Sequence, residues 1–459
     1  MRTTGSRSAV LYLLAIGFLA GLCVFLYGFL FQGGNWAMQS FNRHLTGDSQ
    51  LTTAGKIYDR NGVVLAKSEN GKRLYNSDEE IRRAMLHTVG DTNGYISTGV
   101  QYSYRSQMGG YNLLTGLTVP TGKPTGSDIT LTLDSALCKT AYEKMGGYNG
   151  AAALYNYKTG QILCMVSKPG IDPANVPKDI DTNPKYEGAY LNRVLSSSYT
   201  PGSIFKLVTS AAAIENIPDI YSRTFHCSGS ITVNGNKITC TEAHGDINFR
   251  DGLAKSCNIV FAELAMELGK DKMTAEANQM GFNNAYQADG IKTAKSIYDV
   301  SKAEENDLGW SGIGQYTDLT NPYHMMMLMG AIANGGVPVQ PYFIGDIKTS
   351  FGLSVKKGEA KDGARMVKES TAAALKDMMR YNVTSDYGDS MFPGLKVCAK
   401  TGTAEVGNGK KPNGWMVGFS SDPKTPYAFA VVIEQGNYGR TSAGKIASAI
   451  MAQAAKRGK

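Results

Sequence analysis

The sequence predicts an α+β body carried behind a single N-terminal apolar helix. Three observations lead there. An uncharged apolar run fills 9–31, strand-like segments cluster at 129–167 and again at 395–434, and most of what lies between them reads as helix. Strands at both ends of a helical middle imply one sheet assembled from distant segments. The expected order is a cytoplasmic tail (1–8), a transmembrane anchor (9–31), a small β-rich pedestal (32–127) and the main domain (128–459).

At 459 residues the chain is too long for one ordinary core and suggests two or three units. Its formal charge of +8 is modest, and no Lys/Arg block is dense enough for a nucleic-acid arm. Mild attraction to anionic lipid or cell-wall polymer is the plainer reading.

The anchor comes first. At ~1.5 Å per residue the run from Ala9 to Phe31 covers about 34 Å, enough for a hydrocarbon core of ~30 Å. No small-residue cleavage site follows it, as a signal peptide would require. Arg2 and Arg7 precede it, and the first charge afterwards is Arg43. The positive-inside rule then puts the N-terminus in the cytoplasm and everything beyond about Gln32 outside.

Within the pedestal, Ile57-Tyr58, Asp59-Arg60-Asn61-Gly62 and Val63-Val64-Leu65 read as strand, tight turn, strand. A short helix is expected over 79–89. No catalytic constellation lies here, and a spacer lifting the next domain off the membrane is the reading. From Asp128 onward, 129–133 alternates as a strand and 135–145 is an amphipathic helix. A hairpin over 151–157 and 161–167 turns at Lys158-Thr159-Gly160. A helical region is expected over about 249–280, and helices at 322–334 and 369–381. Strands at 395–404, 415–419 and 428–434 and a helix at 443–455 close the chain.

One stretch carries chemistry. Pro201 and Gly202 break the chain before Ser203, which stands where a helix should begin. Phe205, Leu207, Val208 and an alanine run follow, so this helix is expected to be interior. Ser203 and Lys206 are three apart and share a face of the first turn. A serine hydroxyl is a poor nucleophile until a base takes its proton, and a desolvated lysine with a second cation nearby can serve as that base. The free N–H groups at the helix start also favour negative charge near Ser203. The same spacing at Ser354/Lys357, Ser421/Lys424 and Ser442/Lys445 falls in polar or Gly/Pro-containing stretches and reads as surface.

Two further segments complete the set. In Lys255-Ser256-Cys257-Asn258, an extended loop would aim Ser256 and Asn258 into one cleft. The hydroxyl can relay a proton, and the amide can hold both a lysine and a substrate carbonyl. Ser-x-Asn also occurs at Ser40 and Ser68, so its position is what matters. In Lys400-Thr401-Gly402-Thr403, strand alternation puts Thr401 and Thr403 on one face, suited to a carboxylate. Gly402 would leave room for an incoming peptide backbone, which could add as a strand. The backbone N–H groups of Ser203 and Thr403 could form an oxyanion hole. The second Lys-Thr-Gly, at Lys158, sits at a hairpin turn and reads as structural.

In this order, Ser203/Lys206, Ser256/Asn258 and Lys400-Thr401-Gly402 resemble the triple motif of penicillin-binding proteins and serine β-lactamases. The 55–66 segment, GKIYDRNGVVLA, resembles the pedestal motif of class B, monofunctional penicillin-binding proteins. Lys158 to Leu163, Gly312-Ile313-Gly314-Gln315, Pro322 to Gly336 and Trp415-Met416-Val417-Gly418-Phe419 match as well. The resemblance covers about 50–455 and leaves no room before the pedestal for a glycosyltransferase domain.

It implies a serine β-lactamase/transpeptidase-like domain with a central antiparallel sheet flanked by helices, acting as a D,D-transpeptidase. Lys206 would deprotonate Ser203, which attacks the carbonyl between the terminal D-alanines of a peptidoglycan stem peptide. Ser256 and Lys400 would protonate the departing D-Ala, and a neighbouring stem's amine would resolve the acyl-enzyme. Thr401 and Thr403 would bind the terminal carboxylate. Implied partners are stem peptides or their lipid-linked precursor, β-lactams, a membrane-embedded glycan polymerase and division or elongation proteins, with no nucleic acid. Alternatives are a β-lactam sensor, a β-lactamase or a D,D-carboxypeptidase on the same fold, or a non-catalytic scaffold. Departures from the pattern are Cys257 inside Ser-x-Asn, Ala399 before the Lys-Thr-Gly, and Tyr316 after Gly314-Gln315.

Nothing in this scheme needs a cofactor or a metal. His44, His87, His226, His244 and His324 show no ligand spacing, and the seven cysteines form no framework. Cys23 falls in the anchor, and Cys138, Cys164 and Cys398 read as buried structural thiols. Cys227 and Cys240 flank the hairpin turn Asn234-Gly235. A two-residue turn there would set Cys240 opposite Gly229 and Cys227 opposite Glu242. That diagonal arrangement permits a disulfide without requiring one.

Overall fold

The computed structural model describes residues 2–37, 51–109, 126–407 and 409–457; His44 and Ser40 lie outside them. Helix α1 (Arg2–Ala37) contains the stretch Arg7–Gly28, with mean hydropathy 2.6 and none of it buried. An apolar surface of that length without a protein cover fits a membrane anchor.

Five antiparallel strands form the central sheet: β1 (Gly150–Asn156), β2 (Ile162–Lys168), β3 (Val397–Ala404), β4 (Asn413–Ser420) and β5 (Tyr427–Ile433). Their order is β3-β4-β5-β1-β2, so the last three strands of the chain add to a hairpin laid down far earlier. Every residue of β4 and β5 is buried. That is why β5 reads as an unbroken apolar run rather than an alternation. Helices α2 (Lys206–Asn216), α3 (Asn258–Gln279), α4 (Pro322–Ala333) and α5 (Ala443–Arg457) complete the domain. Helices α4 and α5 pack along β4, β5 and β1, while α2 packs against α3. At the α4–β1 contact Gly330 is obligatory, since a Cβ there would stand 1.6 Å from the Tyr155 hydroxyl.

Helix Glu79–Val89 matches its expected span. The helical region expected over 249–280 is built from separate helices. Helix Phe249–Ala254 stops, the chain turns over 255–257, and α3 begins at Asn258 and is interrupted again at Gly269 (φ 74°). Strands Ser230–Val233 and Asn236–Thr239 pair around Asn234 (φ 49°) and Gly235 (φ 80°), the left-handed pair that a tight hairpin demands. Cys240 N–H donates to Gly229 O at 2.8 Å, the expected register. Cys227 departs from it. It pairs with Gly245 in a separate two-stranded ladder rather than with Glu242.

A second sheet was not legible as such. Its order is Ser354–Lys357, Ile344–Lys348, Asp128–Leu131, Ile57–Tyr58, Val64–Glu69, Lys72–Tyr75. Asp128–Leu131, expected with the main domain's sheet, pairs in parallel with Ile57–Tyr58 and antiparallel with Ile344–Lys348. The boundary expected at 127/128 therefore falls inside a sheet. Alternation identifies a strand but does not name its neighbour.

Asp59 fastens the two regions. Fully buried, its Oδ1 accepts the N–H groups of Asn61 (2.8 Å) and Val63 (2.9 Å). Its Oδ2 accepts Ser135 N–H (3.1 Å) and Oγ–H (2.7 Å) at the start of helix Ser135–Lys144. Asp59→Ala strands the two buried Ser135 donors, at roughly 2–3 kcal/mol. The expected outcome is an earlier thermal unfolding transition of the detergent-solubilised chain, with Asp59→Asn, which keeps one carbonyl acceptor, affected less.

Candidate active site

The turn before α2 is held from three directions. Tyr199 and Thr320 exchange backbone hydrogen bonds (2.9 and 2.7 Å), Gly202 N–H donates to Gly314 O (2.8 Å), and Trp415 Nε1–H donates to Thr200 O (3.0 Å). Two glycines at positive φ make this approach possible. A Cβ on Gly202 (φ 56°) would meet Thr403 O at 2.5 Å, and one on Gly314 (φ 79°) would meet Gly202 O at 2.1 Å. Gly402 acts in the same interlock: its missing side chain makes room for Pro201 O, 2.9 Å from where a Cβ would sit. The backbone that a Cβ on Gly402 would meet is thus the protein's own. Ser203 lies in the 3₁₀ turn Gly202–Ile204, and α2 begins only at Lys206.

Lys206 and Lys400 are both fully buried and converge on Ser256. Lys206 Nζ donates to Ser256 O (2.5 Å) and Asn258 Oδ1 (2.8 Å) and lies 3.2 Å from Ser256 Oγ. Lys400 Nζ reaches Ser256 Oγ (2.9 Å) and Thr401 O (2.9 Å). Among the described residues, the close hydrogen bonds of Lys206 thus run to Ser256 and Asn258 rather than to the Ser203 hydroxyl. Burial pushes the Lys206 amine down to about 7. Lys400 is driven well below its usual range, first by burial and then by the neighbouring Lys206.

Ser256 is not in an extended loop. Its φ is +57°, and its N–H donates to Leu253 O (3.2 Å) while Cys257 N–H donates to Gly252 O (2.8 Å). This is a Schellman cap of helix Phe249–Ala254, with serine in the left-handed position that glycine usually fills. Such strain persists where surrounding contacts impose it. Asn258 is the first residue of α3, so the two side chains reach one cleft from a helix end and a helix start.

That cleft, about 650 Å³, is lined by Ser203, Ser256, Asn258, Thr401 and Thr403, with Trp310, Tyr316 and Tyr438 among its other walls. Along β3 the threonines are half-buried and face the cleft, while Lys400 and Gly402 between and beside them are buried. Sequence reasoning missed Tyr387, whose hydroxyl accepts Thr401 N–H (3.1 Å) and bonds Thr401 Oγ1 (3.1 Å). No motif marks it; it lies in a π-helical turn after helix Glu369–Asn382.

At one place a histidine lies beside cysteines, although the sequence shows no ligand spacing there. His244 Nδ1 lies 3.5 Å from Cys227 Sγ and 3.6 Å from Cys240 Sγ, and Cys240 Sγ is 3.9 Å from Cys257 Sγ. The hairpin register and the 255–257 turn gather residues whose sequence spacing carries no pattern. All the cysteines are free thiols, Cys227 and Cys240 included. His324 bonds Ser296 Oγ (2.6 Å) and Met280 O (2.9 Å) inside the core, and His87 bonds Ala189 O (2.8 Å).

Residues 150–452 match the family model described as the penicillin binding protein transpeptidase domain. The chain is 29% identical over 383 residues to the peptidoglycan D,D-transpeptidase PbpA of Mycolicibacterium smegmatis, covering 75% of each. It is 26% identical to stage V sporulation protein D of Bacillus subtilis, over 91% of this chain and 71% of that one. Penicillin-binding protein A from M. tuberculosis, solved as a ceftriaxone acyl-enzyme complex, superposes with a TM-score of 0.78 at 24% identity, over 88% of this chain and 98% of that one. The D,D-transpeptidase domain of a peptidoglycan glycosyltransferase from Eggerthella lenta gives 0.75 at 26% identity, over the same shares.

Proposed function

The chain belongs to the penicillin-binding protein transpeptidase family, as a class B member, and we propose that it cross-links peptidoglycan stem peptides through an acyl-enzyme on Ser203. The observation that carries this reading is the pair of buried amines meeting at one hydroxyl beside a cleft that also holds Ser203.

A neutral amine has two N–H donors and one lone pair. Ser256 O and Asn258 Oδ1 can only accept, so they consume both donors of Lys206 and leave its lone pair free. Lys206 takes the Ser203 proton as Oγ attacks the carbonyl carbon between the terminal D-alanines. The N–H groups of Ser203 and Thr403 receive the oxyanion. Collapse breaks the C–N bond, and the proton held by Lys206 passes through Ser256 Oγ to the leaving amine, returning Lys206 to its neutral form, while Lys400 Nζ–H holds that hydroxyl in place. The side-chain amine of a neighbouring stem then attacks the ester, forming the cross-link and restoring Ser203. Thr401, held by Tyr387, and Thr403 bind the terminal carboxylate.

Arg2 and Arg7 before the apolar helix, with no charge after it until Arg43, support a cytoplasmic N-terminus and a cleft on the outer face of the membrane, where the stem peptides are. A membrane-embedded glycan polymerase and division or elongation proteins are the partners that this placement suits. β-Lactams acylate the same serine as substrate mimics.

Two outcomes are expected. Labelling with a fluorescent penicillin followed by peptide mapping tags only the peptide holding Ser203, and Ser203→Ala takes up no label; a tag elsewhere sinks the assignment. Because Lys206 must be neutral to act, acylation by penicillin rises with pH through about 7 and levels off above it. The apparent midpoint belongs to the coupled amines rather than to one. Lys206→Ala loses that limb and slows acylation by roughly 10²–10⁴-fold, measured by stopped-flow fluorescence.

A further inference from the structure

At the wall of the cleft, which Cys240 helps to line, three thiols and an imidazole converge, and we propose that Cys227, Cys240, His244 and Cys257 bind one zinc ion that fixes the loop presenting Ser256 and Asn258. Their four donor atoms all lie within 4.8 Å of one another. The measured separations are 3.5 Å and 3.6 Å from His244 Nδ1 to the Cys227 and Cys240 sulfurs, and 3.9 Å between the Cys240 and Cys257 sulfurs. Donors placed tetrahedrally at Zn–S about 2.3 Å and Zn–N about 2.0–2.1 Å stand roughly 3.5–3.8 Å apart. Those three separations are therefore already close to what the ion requires.

The surroundings are those of a ligand set. His244 Nε2, the nitrogen turned away from the thiols, faces Glu242 Oε1 at 3.4 Å, and the imidazole itself is 1% exposed. A carboxylate behind a histidine sets the tautomer that leaves Nδ1 free to ligate. Asn258 N–H donates to Cys240 Sγ at 3.2 Å, a bond that favours the thiolate. Three sulfurs and one nitrogen suit zinc over magnesium or calcium. Four protein donors leave no open position, so the ion is structural and takes no part in a chemical step. On binding, the three thiols release their protons to solvent, and the site carries a net charge of −1.

The ion's task follows from where its ligands sit. Cys227 ends strand Thr224–Cys227, Cys240 ends the neighbouring hairpin, His244 lies in the connecting loop, and Cys257 separates Ser256 from Asn258. Ser256 holds its left-handed conformation beside that ligand. The metal thus ties an otherwise exposed hairpin to the turn on which both lysines converge. This second part rests on the reading of Ser256 and Asn258 as part of the acylation machinery.

The test uses the full chain in detergent, purified under reducing conditions without added metal. Elemental mass spectrometry is expected to find one zinc per chain in the wild type and in Ser203→Ala, and a loss of zinc in Cys227→Ser and His244→Ala. Cobalt substituted into the wild type is expected to show thiolate charge-transfer and tetrahedral ligand-field bands. Chelation is expected to lower the melting temperature and slow penicillin acylation by about tenfold or more, both restored by zinc. A wild-type chain that takes up neither zinc nor cobalt, or that carries a Cys240–Cys257 disulfide in non-reducing peptide maps, overturns the site. Bound zinc whose removal leaves acylation unchanged overturns the positioning role. Bound zinc in a chain that no penicillin acylates sinks the enzymatic reading and leaves the metal site standing.

Discussion

The arrangement depends on keeping two lysine amines out of water within reach of the same hydroxyl. Burying an ammonium costs several kcal/mol unless it is paired, and among the described residues no carboxylate bonds either Nζ. The chain answers with neutral acceptors: Ser256 O, Asn258 Oδ1 and Thr401 O. Those oxygens come from a helix cap, a helix start and a strand, so the sheet, α2 and α3 must all be in place before the amines are solvated by protein. Fold and reactivity are here the same requirement.

The second constraint is steric. Gly202, Gly314 and Gly402 lie where backbone passes backbone at distances that no side chain permits. Their interlock sets Ser203 against β3, and it explains why the segment 312–315 belongs to the site although it contributes no ionisable group. Trp415, fully buried, braces the same turn through Thr200 O while its ring meets Tyr199 edge-on at 5.9 Å.

Much of this was readable in advance because the signals are local. Pro201-Gly202 before an apolar run announces a buried helix start, the apolar stretch expected as a strand at 428–434 falls within one residue of its place, and Asn234-Gly235 announces its own hairpin register. What stayed hidden depends on contacts between distant segments. Asp128–Leu131 alternates like any strand and gives no hint of its parallel neighbour Ile57–Tyr58. Ser256 looks like loop, because a Schellman cap is normally announced by glycine. Tyr387 and Trp310 are aromatics without a motif. The sulfur cluster could have been approached by extending the hairpin: Cys240 faces Gly229, two residues from Cys227, and His244 follows four residues later. Only the turn at 255–257 brings in Cys257.

The sheet that joins Ile57–Tyr58 to Asp128–Leu131 and on to Ile344–Lys348 has a mechanical meaning. Tension arriving from the lipid side meets strands bonded laterally on both flanks, together with the buried Asp59 clasp on Ser135. Such a load is shared by many bonds at once instead of opening them one by one. The strands from Ile57 to Tyr75 and the domain that holds the reactive crevice therefore move as one stiff body.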